Sequence, residues 1–351
     1  MRKKNYVILG FLLLFLCFSC FSVFAEGAKK EAVEEVKTFR WATSSTGSSG
    51  YRALNNLVQV IQPEMTGYDI SVLPTAGAVF SVKSYCQGES EGYYGADIAF
   101  YELANNIKRF EGFGPQMKRE PVQSFWSYTM EVGLAIHARN RGQFKEWRDL
   151  SGKRVFTGPM PWDVRATLER AMDAVGVNHQ YVEVDTEMVA SSLDKGDIAA
   201  TIVYTAGEQR ISPWLTQTEM AADLAVLNPS REEVRMLEEA GMPPVEVGAD
   251  VFDTDVHVNK VSLVPFFYGL HPGMDMPAED VYRMLTIIEE QADELAEMDA
   301  SFAQIKADMA EVQQRGVKAA VDFVPVHPGL AKYMREKGVW SSEWNDRVAG
   351  E

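Results

Sequence analysis

Cysteine is scarce: three in 351 residues. Cys17 and Cys20 lie in an N-terminal stretch expected to be processed, so Cys86 is left with no partner for an intrachain bridge and no disulfide framework is expected. Cys86 reads as a small core residue. Basic excess is also missing. Thirty-four Lys and Arg face fifty Asp and Glu, for a net charge of −16, and no basic patch stands out. Nucleic acid is therefore not an expected partner. Histidine is thin, with His137, His179, His257, His271 and His327 scattered along the chain. Asp255 and His257 share a strand face, but one pair does not make a converging metal site, so no metal and no cofactor are expected. The phosphate-binding GxxxxGK[ST] and GxGxxG loops, the HExxH zinc motif and the GxSxG nucleophile elbow are absent. Carboxylate pairs are abundant, yet the sequence singles out none of them by an apolar setting that would raise a pKa. No enzyme is expected. The apolar run Val7–Phe18 is short for a membrane span.

That run belongs to a targeting segment. Arg2, Lys3 and Lys4 form a basic start, and Val23-Phe24-Ala25 offers a small-residue cleavage site. Loss of residues 1–25 removes three positive charges and no negative ones, which takes the net charge from −16 to −19. Leu16-Cys-Phe-Ser-Cys20 loosely resembles a lipoprotein box, so anchoring through Cys20 is the alternative to cleavage. Either route exports the protein, to a periplasmic location. Residues 26–37 are charged and poor in bulky apolar groups, as a linker would be.

The most informative stretch follows. Phe39 and Trp41 lie in an apolar run that ends in Thr43-Ser-Ser-Thr-Gly-Ser-Ser49. Leu54, Leu57, Val58 and Ile61 then recur at helical spacing. Strand, hydroxyl-rich turn and helix place backbone N–H groups and hydroxyls at a helix N-terminus, which suits a carboxylate or another anion. Capping alone explains one hydroxyl, not six. The same unit recurs: strand Tyr68–Leu73, turn Pro74-Thr-Ala-Gly77, helix Ser81–Gln87, and a further strand Ala96–Tyr101. A second block repeats it, with strand Gly152–Phe156, turn Thr157-Gly-Pro-Met-Pro-Trp162, and helix Val164–Val175 capped by Asp163. Strand Tyr181–Val184, helix Thr186–Lys195 and strand Ile198–Tyr204 running into Thr205 complete that block. Such alternation predicts an α/β fold with a parallel sheet in two lobes, and ligands beyond the carboxyl ends of the strands. Val256–Phe267 reads as a strand returning to the first lobe, and 278–298 as one amphipathic helix.

Taken in order, these pieces resemble the TAXI-type solute-binding proteins, the extracytoplasmic receptors of TRAP transporters. Thr43–Tyr51 is similar to their first Ser/Thr/Gly loop and Pro74–Val79 to their second. Gly95–Tyr101, Leu150–Pro159, Gly196–Gly207 and His327–Gly338 follow at matching spacing. The resemblance implies a two-lobe periplasmic-binding-protein-like (type II) fold with a ligand cleft between the lobes. It also implies capture of a small solute for a TRAP permease, the solute being an amino acid or a dicarboxylate-like organic acid. An ABC-transporter binding protein and a ligand sensor for a membrane signalling partner are the alternatives. Lobe 1 is expected over 38–128 and 250–340, lobe 2 over 129–249 and a tail over 341–351.

Expected ligand contacts in the first two loops are Ser44, Ser45, Thr46, Gly47, Ser48, Ser49, Tyr51, Thr75, Ala76 and Gly77. Tyr101, Thr157, Gly158, Pro161, Trp162, Arg165, Tyr204 and Thr205 complete the set. Ser48 and Pro161-Trp-Asp-Val-Arg165 depart from the family pattern. Trp162 could stack on the ligand, narrow the cleft or pack between the lobes; Arg165 could pair with a ligand carboxylate, or stay exposed or pair locally with Asp163 or Glu169.

Overall fold

Hydrophobic spacing builds each element of a mixed α/β sheet. The computed structural model describes residues 36–350 except Gly47. The expected signal peptide and most of the linker lie outside the described residues. The N-terminal half runs β1 (Lys37–Thr43), α1 (Ser49–Ile61), β2 (Tyr68–Pro74), α2 (Ala78–Cys86), β3 (Gly92–Ala96), α3 (Asp97–Ala104) and the long β4 (Trp126–His137). Next come β5 (Arg154–Phe156), α4 (Asp163–Ala174), β6 (Gln180–Tyr181), α5 (Val189–Lys195), β7 (Ala200–Ala206), β8 (Arg210–Ile211), α6 (Pro213–Ala221), β9 (Leu224–Leu227) and α7 (Arg231–Glu239). The chain closes with β10 (Val245–Gly248), β11 (Lys260–Pro272), α8 (Ala278–Glu290), α9 (Ala292–Met298), α10 (Ala303–Ala320) and α11 (Pro328–Glu336). Among the described residues no helix is long and apolar enough to cross a membrane.

The strand order is β2-β1-β3-β11-β4-β7-β5-β6, with β10 on β11, β8 on β7 and β9 on β4. β1 pairs with β3 in parallel, as β5 does with β6 and β7. Between these two parallel groups run β11 and β4, antiparallel to each other and to their outer neighbours. The sheet is therefore mixed, not parallel throughout. Residues 126–136 of β4 are buried without interruption, as in a central strand covered on both faces. Two long strands carry the chain between the groups, and each returns against the other.

Local chemistry explains the helices. α1 buries Ala53, Leu54, Leu57, Val60 and Ile61 on one stripe. α10 lies close on β4, because Gly316 leaves room for the Trp126 indole. Its Gln313 side chain accepts from Trp126 N–H and donates to Trp126 C=O, both at 2.8 Å.

Four expectations need correction. The apolar run 96–101 is helix α3, not a strand. A short continuous apolar run does not distinguish a buried strand from a buried helix, and the preceding Tyr93 and Tyr94 take the sheet position. Asp163 is the first residue of α4 rather than its cap; Trp162 holds the cap position, without a side-chain cap bond. The amphipathic segment 278–298 breaks at Gln291 into α8 and α9. The returning strand is Lys260–Pro272, further along than 256–267. Cys86 is buried and free, as expected, and burial pushes its thiol up to about 12.

Candidate functional site

Four helix N-termini meet at one cleft. The turn after β1 brings Ser44, Ser45, Ser48, Ser49 and Gly50 to it, at the start of α1. Ala76, Gly77 and Ala78 bring the start of α2. Pro161, Trp162, Asp163 and Val164 bring the start of α4, and Ser212, Pro213 and Trp214 the start of α6. The cavity measures 210 Å³. A helix start carries unpaired N–H donors and a partial positive charge. At α1, Ser48 Oγ accepts from Tyr51 N–H at 3.2 Å and lies 2.5 Å from Ser44 Oγ. The starts of α2, α4 and α6 have no side-chain cap bond. Side-chain capping thus does not occupy these three starts, although Phe80 N–H already bonds Gly77 C=O at 3.0 Å and Pro213 brings no N–H.

Aromatic rings shape the rest. Tyr94 stacks on Tyr268 with centroids 4.5 Å apart and planes 8° apart. The Tyr94 and Tyr128 hydroxyls lie 2.7 Å apart, and Trp214 Nε1–H donates to the Tyr204 hydroxyl at 2.9 Å. Gly50 sits where any Cβ would overlap the Tyr94 ring, so the start of α1 lies flat against that ring. Trp162, by contrast, is 41% exposed at the cleft edge.

The cleft's carboxylate, Asp163, is already satisfied. It accepts from Arg109 Nη1 at 2.5 Å and from the Tyr268 hydroxyl at 2.7 Å. Arg109 also donates to Glu102 at 2.6 Å and to the Pro161 carbonyl at 3.0 Å. Burial works against the Arg109 cation, but Asp163 and Glu102 outweigh it and its pKa is raised. Burial, followed by the charge of Asp163, drives the Tyr268 phenol far above its ordinary value, so it remains a donor. No Lys or Arg is among the described lining residues. Positive potential in this cleft comes from helix termini.

Of the residues expected from sequence, Ser44, Ser45, Ser48, Ser49, Ala76, Gly77, Pro161, Trp162 and Tyr204 line the cleft. Gly47 lies outside the described residues. Thr46 and Tyr51 belong to the same turn and helix but do not line the cleft. The Thr75 hydroxyl staples the second turn, 2.6 Å from Thr43 C=O and 2.8 Å from Gly77 C=O. The Thr157 hydroxyl donates to Glu169, and Gly158 accepts from the Tyr181 hydroxyl at 3.1 Å. Thr205 donates to the buried Glu131. Arg165 pairs with Glu169 at 2.9 Å and covers the Tyr181 ring at 3.9 Å. It borders, with Tyr101, a separate groove of 520 Å³.

Tyr94, Met130, Asp163, Ser212, Trp214 and Tyr268 line the cleft without having been expected there. Ser212-Pro213 carried a usable signal, a cap residue followed by proline at the first helical position. Tyr94 and Tyr268 arrive by long-range pairing of β3 with β11, which local patterns do not encode.

A comparison with curated proteins finds no match. Among solved structures, the chain is similar to the periplasmic aliphatic sulphonate binding protein SsuA from Escherichia coli, at 12% identity, over 86% of this chain and 90% of that one, with a TM-score of 0.45. The alkanesulfonate-binding protein SsuA from Xanthomonas axonopodis pv. citri, bound to MOPS, matches at 10% identity over 86% and 91%, with a TM-score of 0.40. An amino acid ABC transporter substrate-binding protein, AbpA from Streptococcus pneumoniae, bound to L-arginine, matches at 14% identity over 80% and 99%, with a TM-score of 0.38. In this chain two parallel strand groups are joined by β4 and β11 into one mixed α/β sheet. The chain belongs to the NMT1-like family, whose model matches residues 41–338.

Proposed function

We propose that this protein is an exported solute-binding receptor that captures a small organic acid in the cleft and hands it to a membrane transporter. The observation that carries the reading is the convergence of four helix N-termini and a serine cluster on a cleft without lining cations. Such a cleft favours an anion through backbone donors. Lobe 1 comprises 38–128 and 250–340, and lobe 2 comprises 129–249. Ligand contacts made from both lobes would stabilise the closed form. The cleft serines have no His or Lys beside them among the lining residues, which supports binding rather than turnover.

The partner is a permease, and two types compete. The solved proteins of similar fold include a component of an ABC transporter, so an ABC-type permease is the first to test. The loop motifs that resemble TAXI receptors support a TRAP-type permease as the second. Uptake by proteoliposomes that carry either permease separates them: dependence on ATP favours the first, dependence on an ion gradient the second.

Thermal denaturation of the protein from Glu26 onward, with amino acids, dicarboxylates, keto acids and sulfonates, tests the ligand class. A ligand at about 100 times its dissociation constant adds about 2.7 kcal/mol of stability, which reads as several degrees. A shift with neutral or cationic solutes alone would overturn the anionic assignment.

A further inference from the structure

Two cavities meet at one partition. Pro161 and Trp162 border both the 210 Å³ cleft and the 520 Å³ groove on their other side, and no other described residue borders both. Alone, the inner cleft is smaller than the ~300–1,000 Å³ usual for a small-molecule site, while the groove falls within it. The groove runs between α3 and α4. Its walls include Ile98, Tyr101, Met160, Ala166 and Met242. Some of its charges are paired within the wall, Arg109 with Glu102 and Asp163 and Arg165 with Glu169, and Arg170 lies over the Tyr101 ring at 4.0 Å; Lys108 and Asp173 line it as well. Met160 and Trp162 stand 59% and 41% exposed side by side, a pair of large apolar groups left in water at the junction. Arg109 holds the Pro161 carbonyl, so the backbone of the partition is fixed and the exposed Trp162 side chain is the part free to yield.

We propose that the solute is an amphiphilic acid whose anionic head sits at the helix N-termini of the inner cleft and whose apolar tail passes Pro161 and Trp162 into the groove. This rests on the receptor reading above and narrows its substrate class. The head requires backbone donors, which the inner cleft has. The tail requires apolar wall, which Ile98, Tyr101, Met160, Ala166 and Met242 supply. A compact amino acid or dicarboxylate would leave the groove and the Met160–Trp162 pair uncovered.

Isothermal titration of the protein from Glu26 onward with straight-chain alkanoates from acetate to octanoate tests the proposal. Affinity is expected to rise about fourfold per methylene once the inner cleft is filled. Two variants that touch only the groove check its location. Ala166→Phe fills it, and Met160→Glu places a charge at an exposed position where folding is not at risk. Each is expected to flatten the chain-length dependence and leave the affinity for the shortest binding acid within about twofold, as apolar contact would dictate. Longer acids that bind no tighter than short ones would overturn the tail assignment and leave the receptor reading standing. Unchanged chain-length dependence in both variants would place the tail elsewhere and overturn it too. If alkanoates of every length fail to bind while other anions do, the amphiphilic class falls alone; if no anion binds, the anionic assignment falls with it.

Discussion

Arg109 Nη1 lies 2.5 Å from Asp163 Oδ1, a bond that ties the segment after α3 to the first residue of α4. Asp163 is 2% exposed, so its charge has little water to fall back on. Removing one partner of a buried pair leaves an uncompensated charge and typically costs about 3–5 kcal/mol, far more than the pair itself contributes. Arg109→Leu should therefore lower stability by about that much in urea denaturation. Arg109→Leu combined with Asp163→Asn should recover part of the loss. A change within about 0.5 kcal/mol for the single variant, the range of ordinary surface substitutions, would mean that the network is solvated in solution.

Gly50 makes a second, steric prediction. A methyl group there would overlap the Tyr94 ring and the Ser44 hydroxyl. Tyr94 is pinned by its stack on Tyr268 and by Tyr128, so it has little room to retreat. Gly50→Ala should destabilise by about 1–3 kcal/mol, as overpacking does, although alanine is the better helix former. Thermal denaturation of the variant checks this. A stabilised variant would show that the start of α1 can lift off the ring.

What the sequence disclosed follows the reach of each signal. The turn Thr43–Ser49 was legible because its excess of hydroxyls stands directly before a helical period, and most of it lines the cleft. Trp162 was legible because a bulky aromatic broke a small-residue turn. Asp163 was read as a local cap; its actual partners, Arg109 and Tyr268, are 54 and 105 residues away, beyond any local pattern. The strand expected at 96–101 failed for a local reason, since Asp97 to Tyr101 satisfies helix and strand alike and only the pairing of Tyr93 and Tyr94 with β11 decides it.

Asp299 contributes to the acid limb of stability. It accepts from Arg52 at 2.9 Å, from Arg210 at 2.6 Å and from the Ser301 amide and hydroxyl. Burial alone would raise its pKa, but the Ser301 amide, the two arginines and the Ser301 hydroxyl prevail and hold it below the usual carboxylate range. A depressed carboxylate contributes stability that is present above its unfolded pKa and is lost as pH falls through the folded one. Asp299→Asn should therefore be less stable than wild type at neutral pH, with the gap closing below about pH 4, near the unfolded value. Urea midpoints at pH 7 and pH 3 read this directly, and a gap that does not narrow would remove Asp299 from the acid transition.

Glu131 gives the opposite slope. It is fully buried on β4, where its Oε2 accepts from the Thr205 hydroxyl and, at 3.1 Å, from the Glu208 amide. Burial pushes its pKa up to about 7 from 4.5, although the hydrogen bonds pull the other way. A raised carboxylate pKa means that the folded state holds the proton more tightly than the unfolded chain. Its contribution is fully present below the unfolded value and is lost as pH rises through about 7. For a shift of that size the loss is on the order of 3 kcal/mol at alkaline pH. Glu131→Gln keeps an acceptor for Thr205 and cannot ionise. It should match wild type to within about 1 kcal/mol near pH 4.5 and exceed it by a few kcal/mol near pH 9, as a non-ionising side chain would. Urea titrations at pH 5, 7 and 9 trace the divergence. If the two proteins keep the same difference at all three, Glu131 is already ionised in the fold.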